Sequence, residues 1–135
     1  MSTNASVTTI ANISNKKTGL IYIRDGEGAV KDFSVPRGGD WSGYLPVPWI
    51  GSDDENYKVI NITIVAQEKD YVIYIYQDYW HPADKNEVKY STSKFFSYSD
   101  PNNKRISGYP DYAGKKKLII KQRSDDISLE MEVIK

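Results

Sequence analysis

The chain contains no cysteine, only one histidine and no excess of either charge, and each of these features excludes a class of protein. Without cysteine there are no disulfide bonds and no thiolate metal sites. Eighteen basic residues balance eighteen acidic residues, so no overall field attracts the chain to nucleic acid or to an anionic membrane. We therefore expect no nucleic-acid partner.

Long apolar runs are also missing. No run approaches the roughly 20 residues that are needed to span a bilayer, and the first residues, MSTNASVTTIANIS, lack the basic and apolar regions of a signal peptide. These observations predict a cytoplasmic or leaderless-secreted protein. The length of 135 residues suits one domain, which we expect to span residues 6–135 after a flexible N-terminus at residues 1–5.

No catalytic motif is present. The Gly-x-Ser-x-Gly elbow, the phosphate-binding loop, the dinucleotide fingerprint and the zinc-ligand spacings are all missing. The lone His81 precedes Pro82, which places it in extended or turn conformation, and no pair of carboxylates falls in a glycosidase motif. We therefore interpret the protein as a non-enzyme that has no catalytic residues.

The sequence does contain many short segments with β-strand character. Residues 57–66 (YKVINITIVA) alternate most clearly, with isoleucines on one face, and residues 71–78 (YVIYIYQD) are almost continuously apolar. The polar QEKD between them predicts an antiparallel hairpin at the centre of a sheet, covered on both faces. Further strands are predicted at residues 6–13, 20–25, 29–35, 117–123 and 127–134, and residues 87–99 are predicted to form either one bent strand or two short strands.

These segments predict the fold class. No window of ten or more residues has helical periodicity, and no internal repeat is visible. Eight to ten short strands joined by polar turns are typical of an all-β, single-domain antiparallel β-sandwich. In the first strand, SVTTIANI, the alternation places Val7, Thr9, Ala11 and Ile13 on one face.

Two aromatic stretches have neither helical nor strand periodicity and are predicted to be loops. They are residues 38–56 (GGDWSGYLPVPWIGSDDEN) and residues 79–86 (YWHPADKN). One leads into the predicted central hairpin and the other leaves it. Because the strands of a hairpin are antiparallel, both loops should meet at the end of the sandwich opposite QEKD.

Aromatic rings beside acids and amides point to sugar recognition. Flat rings stack on the C–H faces of sugars and lose few rotamers on binding, while carboxylates and amides pair with hydroxyls. We therefore interpret the chain as a lectin-like, glycan-binding protein. The candidate ligand-binding residues are Trp41, Tyr44, Trp49, Asp53, Asp54, Asn56, Asp78, Tyr79, Trp80 and His81. The structural alternative is that Trp41 or Trp49 folds inward and plugs the core.

Two other functions fit the same features. A membrane- or lipid-binding, cytolysin-like sandwich would place exposed Trp and Tyr at a bilayer surface. A self-assembling protein-interaction module would build a homo-oligomer through an edge strand and the tyrosine-rich residues 95–112. In being small, leaderless and free of cysteine, with aromatic loops, the chain is similar to cytoplasmic defence lectins and small cytolysins.

No cofactor or metal site is predicted. The acidic stretch GSDDEN at residues 51–56 offers the oxygen donors that calcium prefers, so calcium is the alternative. The stretch lacks the spacing of an EF-hand loop, and neighbouring carboxylates on an extended chain point in different directions.

Overall fold

The structure of the protein, a computed structural model, describes residues 8–16, 19–28, 30–65, 70–80, 83–93, 96–106, 114–123 and 126–133. These residues form eleven β-strands and one 3-10 helix, Asp53–Lys58, which lies between β5 and β6. The strands are β1 Thr8–Lys16, β2 Leu20–Asp25, β3 Phe33–Val35, β4 Asp40–Pro46, β5 Trp49–Ile50, β6 Ile60–Val65, β7 Asp70–Trp80, β8 Ala83–Ser91, β9 Lys104–Arg105, β10 Gly114–Arg123 and β11 Asp126–Val133. The N-terminal residues 1–5, predicted to be flexible, lie outside the described residues.

The strands form two sheets that pack against each other, which confirms the predicted all-β sandwich. The four-stranded sheet has the order β11-β10-β1-β4. The seven-stranded sheet has the order β3-β2-β6-β7-β8-β9, with β5 also paired to β7. Most neighbours are antiparallel, as predicted, but β1 pairs with β10 and β5 with β7 in parallel. Both parallel pairs join strands that are distant in the chain, so no local sequence pattern predicts them.

The central hairpin of the seven-stranded sheet follows its sequence pattern. β6 and β7 pair antiparallel from Ile60–Ile75 to Val65–Asp70, and the connecting residues 66–69 lie outside the described part of the chain. The three isoleucines of β6 are fully buried between the sheets, and burying each stabilises the fold by about 1.5–3 kcal/mol. The two predicted strands and their position at the sheet centre are confirmed, but the first begins at Ile60 and not at residue 57, because residues 57–58 belong to the 3-10 helix.

The outer face of the seven-stranded sheet, which is turned away from the four-stranded sheet, is partly open. Val65 and Val72 lie on this face and are 39% and 36% exposed. The prediction that the hairpin is covered on both faces is therefore wrong over these residues. On the outer face, β7 is buried only in its later part. There Tyr76 lies under a second group of apolar side chains.

β1 departs from the alternation predicted for it. The sequence pattern places Thr9, Ala11 and Ile13 on one face, but the structure buries Ile10 and Ile13 together in the main core. A β-bulge between Ile10 and Asn12 shifts the register against both neighbouring strands. One extra residue is enough to turn the following side chains to the other face.

Residues 38–56, predicted to be a loop, are mostly regular. β4 pairs with β1, β5 pairs with β7, and the 3-10 helix follows. The local abundance of glycine and proline suggested a loop. However, distant strands supply the hydrogen bonds that the backbone needs.

The predicted second loop, residues 79–86, is also largely strand. Tyr79 and Trp80 end β7, Ala83 begins β8, and Trp80 pairs with Ala83 across the hairpin. The prediction was wrong because the apolar pattern ends before the backbone pairing does. Only residues 81–82 separate the two strands.

Candidate functional site

The two aromatic stretches meet at one end of the sandwich, as the hairpin geometry predicts. β6 pairs with β7 only as far as Ile75. β5 then occupies the edge that β6 has left, with Trp49 opposite Gln77 and Ile50 opposite Asp78. We call this end the rim, and we define it as β5, the 3-10 helix, the part of β7 from Tyr76 onward, and residues 96–103.

A small second core covers the outer face of β7 at the rim. Ile50, Val59 and Tyr76 are buried there, and Tyr74, Phe96 and Tyr98 pack against them. The ring of Phe96 lies 5.2 Å from that of Tyr76 in an edge-to-face arrangement. The aromatic side chains of this group therefore serve packing.

The hydroxyl of Tyr76 anchors this second core. It donates a hydrogen bond to the carbonyl oxygen of Tyr98 at 2.8 Å and accepts one from Asn103 Nδ2 at 2.9 Å. The same Nδ2 lies 2.8 Å from the carbonyl oxygen of Ser97. Burial raises the pKa of Tyr76 far above the ordinary tyrosine value, so the phenol stays neutral and can donate.

The 3-10 helix is tied to the neighbouring turn by residues that the sequence suggests as sugar ligands. Asp53 Oδ1 accepts a hydrogen bond from Ser97 Oγ at 3.2 Å, and Asn56 Oδ1 accepts one from the Tyr98 amide at 3.4 Å. Asp54 is exposed. Two of these three candidates therefore hold the rim together.

Glu55 anchors the start of the same helix. Its carboxylate accepts hydrogen bonds from Lys58 Nζ at 2.9 Å and from the Gly51 amide at 3.0 Å. The hydrogen bond from Lys58, followed by that from Gly51, lowers the pKa of Glu55. This carboxylate is committed to the local fold.

Asp78 is enclosed at the rim. Its side chain is 1% exposed and forms an ion pair of 2.9 Å with Lys89, whose side chain is 14% exposed. A carboxylate that is both buried and paired offers little to a ligand from solvent. We assign Asp78 a structural role.

The tryptophans and Tyr44 are divided between the two sheets. Trp41 lies on β4 opposite Ile13, about 17 Å along that strand from Pro46, where the chain turns towards the rim. Its ring stacks on Phe33 at 4.3 Å and packs against the main core. Trp41 therefore corresponds to the structural alternative, an indole that packs inward.

Tyr44 also lies on β4, where it is 62% exposed, and Trp49 is half-buried at the rim. The structure thus brings Trp49, but neither Trp41 nor Tyr44, beside the end of β7. The side chains of Tyr79 and Trp80, and all of His81, lie outside the described part of the chain.

A pocket of about 480 Å³ opens on the outer face of the seven-stranded sheet. We call it the sheet-face pocket. Its lining comes from β2, β3, β6 and Asp32, the residue that precedes β3. The lining residues are Tyr22, Ile23, Arg24, Asp32, Phe33, Ser34, Asn61 and Thr63. The volume falls within the range of roughly 300–1,000 Å³ that is typical of small-molecule sites.

Strand alternation and register place Tyr22 and the polar lining side chains together on the outer face. In β2, Ile21 and Ile23 face the core, so Tyr22 and Arg24 face outward. Tyr22 is paired with Thr63 of β6, and Arg24 with Asn61. On the other side of β2, Tyr22 is paired with Ser34 of β3.

The polar side chains of the pocket do not bond to one another. In the part of the chain that the structure describes, none of them makes a side-chain hydrogen bond or ion pair, and this group consists of Arg24, Asp32, Ser34, Asn61 and Thr63. Asp32 lies one residue beyond the Ile23–Phe33 pair, next to Arg24, yet the two form no salt bridge. These donors and acceptors remain available to a ligand.

Sequence reasoning missed this group, although a signal was present. The alternation in LIYIRD and INITIV turns Tyr22, Arg24, Asn61 and Thr63 to the side opposite the isoleucines. The missing information was that β2 and β6 are neighbours, since about 40 residues separate them along the chain. Without that pairing, the polar positions belong to two unrelated strands.

Comparison with known protein families, with curated proteins and with solved structures found no match. Among the described residues, no three His, Asp or Glu side chains are grouped so that they could hold a metal ion. No helix in the described ranges is both long enough and apolar enough to cross a membrane.

Proposed function

We propose that this protein is a non-enzymatic, lectin-like carbohydrate-binding protein and that the sheet-face pocket holds the sugar. One observation carries the proposal: five uncommitted polar side chains surround the exposed ring of Tyr22. Side chains at the rim are mostly bonded to each other, whereas those in the pocket are not. A ligand can therefore bind in the pocket without first breaking protein contacts.

The chemistry of the pocket suits a saccharide. Tyr22 is 50% exposed on the outer face, so its ring can stack on the C–H face of a sugar. Each sugar hydroxyl is both a donor and an acceptor. Asp32 supplies acceptors, Arg24 supplies donors, and the Asn61 amide supplies both.

The pocket does not resemble a hydrolytic site. Glycoside hydrolysis needs two carboxyl groups about 5–9.5 Å apart across the scissile bond. Asp32 is the one carboxylate among the described lining residues. The arrangement supports binding without turnover.

The test compares two exposed tyrosines on opposite sheets. Tyr22 and Tyr44 are 50% and 62% exposed and both lie on β-strands, but only Tyr22 lines the pocket. A glycan array identifies the best-bound saccharide, and calorimetry then measures its Kd for the wild type, Tyr22→Ala and Tyr44→Ala. We expect Tyr22→Ala to weaken binding at least tenfold, which corresponds to about 1.4 kcal/mol, and Tyr44→Ala to leave the Kd unchanged.

Two results would contradict the proposal. If the wild-type protein bound no saccharide on the array, the proposed function itself would be wrong. Alternatively, both alanine variants could bind as tightly as the wild type, which would move the sugar site away from Tyr22. Thermal unfolding of each variant separates a lost contact from a lost fold.

A further inference from the structure

Two opposite charges stand side by side in the sheet-face pocket. Among its described lining residues, Asp32 is the one acid and Arg24 is the one base, and both side chains are exposed. Within the part of the chain that the structure describes, neither side chain forms a hydrogen bond or an ion pair. The pocket therefore offers one charged acceptor group and one charged donor group, and these two charges cancel.

The register of β2 and β3 makes the two residues neighbours. These strands pair antiparallel as far as Ile23 and Phe33, so the next residue on one side is Arg24 and on the other side Asp32. Ile23 faces the core, so strand alternation turns Arg24 to the outer face. Asp32 lines the same pocket on that face.

The carboxylate of Asp25 holds the chain that runs from Arg24 to Asp32. It accepts hydrogen bonds from the Glu27 amide at 3.0 Å and from the Val30 amide at 3.3 Å. The Gly26 amide donates to the carbonyl oxygen of Val59, just before β6, at 3.2 Å. Backbone hydrogen bonds therefore return the chain towards Arg24 without a bond between the side chains of Asp32 and Arg24.

A hydroxyl is the group of a sugar that satisfies both charges at once. A guanidinium only donates hydrogen bonds and a carboxylate only accepts them, whereas a hydroxyl does both. Its oxygen can accept from Arg24 while its proton is donated to Asp32. A sugar carboxylate has no proton to give to Asp32, and a sugar ammonium has no lone pair for Arg24.

A charged sugar group also gains little electrostatic energy between the two residues. It meets a like charge beside the opposite charge, so attraction and repulsion largely cancel. It nevertheless loses part of its hydration on entering the pocket, and this loss is larger for a charged group than for a hydroxyl. The pair therefore disfavours both acidic and amino sugars.

We infer that a sugar hydroxyl binds between Asp32 and Arg24, and that the pocket selects saccharides that are uncharged at this position. This inference rests on the proposed function. Asn61 is paired with Arg24 on the other side of β2, so its amide offers a donor and an acceptor to a second hydroxyl. The substrate class is a neutral saccharide.

The experiment replaces each hydroxyl of the ligand in turn. The parent probe is the methyl glycoside of the monosaccharide that the protein binds best on the array. Its analogues carry hydrogen or an amine in place of one hydroxyl, and calorimetry at pH 6 keeps the amine protonated. We expect one position at which the deoxy analogue binds on the order of tenfold more weakly than the parent, and the amine at that position should bind no better than the deoxy analogue.

Two variants should shift the binding of this amine in opposite directions. Arg24→Gln removes the like charge, so the affinity of the amine relative to the parent should rise about tenfold. Asp32→Asn removes the attractive charge, so the same ratio should fall below that of the wild type. Arg37→Gln and Asp54→Asn, at exposed positions outside the pocket, are the matched controls and should leave the ratio unchanged. Thermal unfolding checks that each variant is folded.

The possible failures are distinguishable. If the parent glycoside binds and every deoxy analogue binds equally well, the inference is overturned and the proposed function stands. An amine at the sensitive position that binds the wild type as tightly as the parent does, or a ratio that Arg24→Gln does not raise, overturns it equally. If the methyl glycoside of no monosaccharide binds, the proposed function fails together with the inference.

Discussion

The rim and the sheet-face pocket contain the same kinds of side chain in opposite states of bonding. At the rim, Asp78 is buried against Lys89, and Asn103 holds Tyr76 and Ser97 together. In the pocket, acid, amide, guanidinium and tyrosine groups stand side by side without bonding to each other. Composition therefore does not distinguish a packed end from a binding face; the hydrogen-bond partners of each side chain do.

Tyr76 of the rim and Tyr22 of the pocket differ in the same way. Tyr76 is fully buried, and its hydroxyl organises the rim. Tyr22 is half exposed, and no described group bonds to its hydroxyl. Substitutions at the rim should therefore change stability but not affinity, and substitutions in the pocket should do the reverse.

The largest effect should come from the buried ion pair of the rim. Asp78→Asn removes the negative charge of a buried ion pair, in which the carboxylate is 1% exposed and lies 2.9 Å from Lys89 Nζ, so we expect the free energy of unfolding to fall by about 3 kcal/mol. Glycan affinity should stay within twofold of the wild type. Urea unfolding measures the first quantity and calorimetry the second.

Asp54→Asn is the matched control, since it makes the same change at an exposed rim carboxylate and should cost less than about 0.5 kcal/mol. Equal stability of the two variants would show that burial at the rim has no energetic consequence. If Asp78→Asn lost glycan affinity and Asp54→Asn did not, the ligand site would lie at the rim and not in the pocket.

The tyrosine hydroxyl of the rim should have the next largest effect. Tyr76→Phe keeps the ring but removes the donor to Tyr98 and the acceptor from Asn103, so we expect a loss of about 1–2 kcal/mol in urea unfolding. Tyr74→Phe, in the same cluster, removes a hydroxyl for which no described hydrogen bond exists. If both variants lose the same stability, the hydrogen bonds of Tyr76 do not anchor the rim.

A charge substitution in the pocket should reverse this pattern. Arg24→Gln removes a donor that no other described residue uses, so stability should change by less than about 0.5 kcal/mol. Glycan affinity should fall about tenfold, which equals about 1.4 kcal/mol. Arg37→Gln, at an exposed turn outside the pocket, is the control, and an equal loss of affinity there would indicate a general charge effect.

The smallest effect concerns the pH dependence of stability at the rim. Because hydrogen bonds lower the pKa of Glu55 in the folded chain, its ionised form stabilises the fold above the ordinary glutamate pKa of about 4.3. That contribution is lost as the pH falls through the lowered folded value. Since the side chain is 36% exposed, solvent screening keeps the effect below about 1 kcal/mol.

Glu55→Gln tests this sign. The variant should be less stable than the wild type at pH 6, and the difference should shrink at pH 3, as measured by urea unfolding at both values. A difference that is constant or grows towards pH 3 would show that the hydrogen bonds of Glu55 do not favour its ionised form.

The sequence predicts the parts of the fold that depend on local pattern. The isoleucines of β6 alternate with polar residues, so both the strand and its buried face follow from the sequence. The antiparallel pairing of β6 with β7 then predicts that the residues before β6 lie near the end of β7, where Trp49 is found. The bulge at Ala11, which is the extra residue of β1 in its pairing with β10, is not predictable, because one inserted residue leaves no compositional mark. β4 and β5 were missed because their partners are distant in the chain.

The candidate site was harder to predict for the same reason. The sequence singles out aromatic rings next to acids, and at the rim these are the residues that pack and bond with each other. The pocket depends on the pairing of β2 with β6 and β3, which joins Tyr22 to Thr63 and Ser34. In the sequence alone, the pocket residues look like ordinary exposed strand positions, because nothing indicates which strands are neighbours.

A titration of the labelled protein with its best-bound glycan, followed residue by residue through backbone amide chemical shifts, tests most directly whether the ligand site is the pocket. The account predicts the largest shifts at residues 22–24, 32–34 and 61–63, with the rim amides of residues 49–58 and 76–80 nearly unchanged. Shifts concentrated in the rim amides would contradict it.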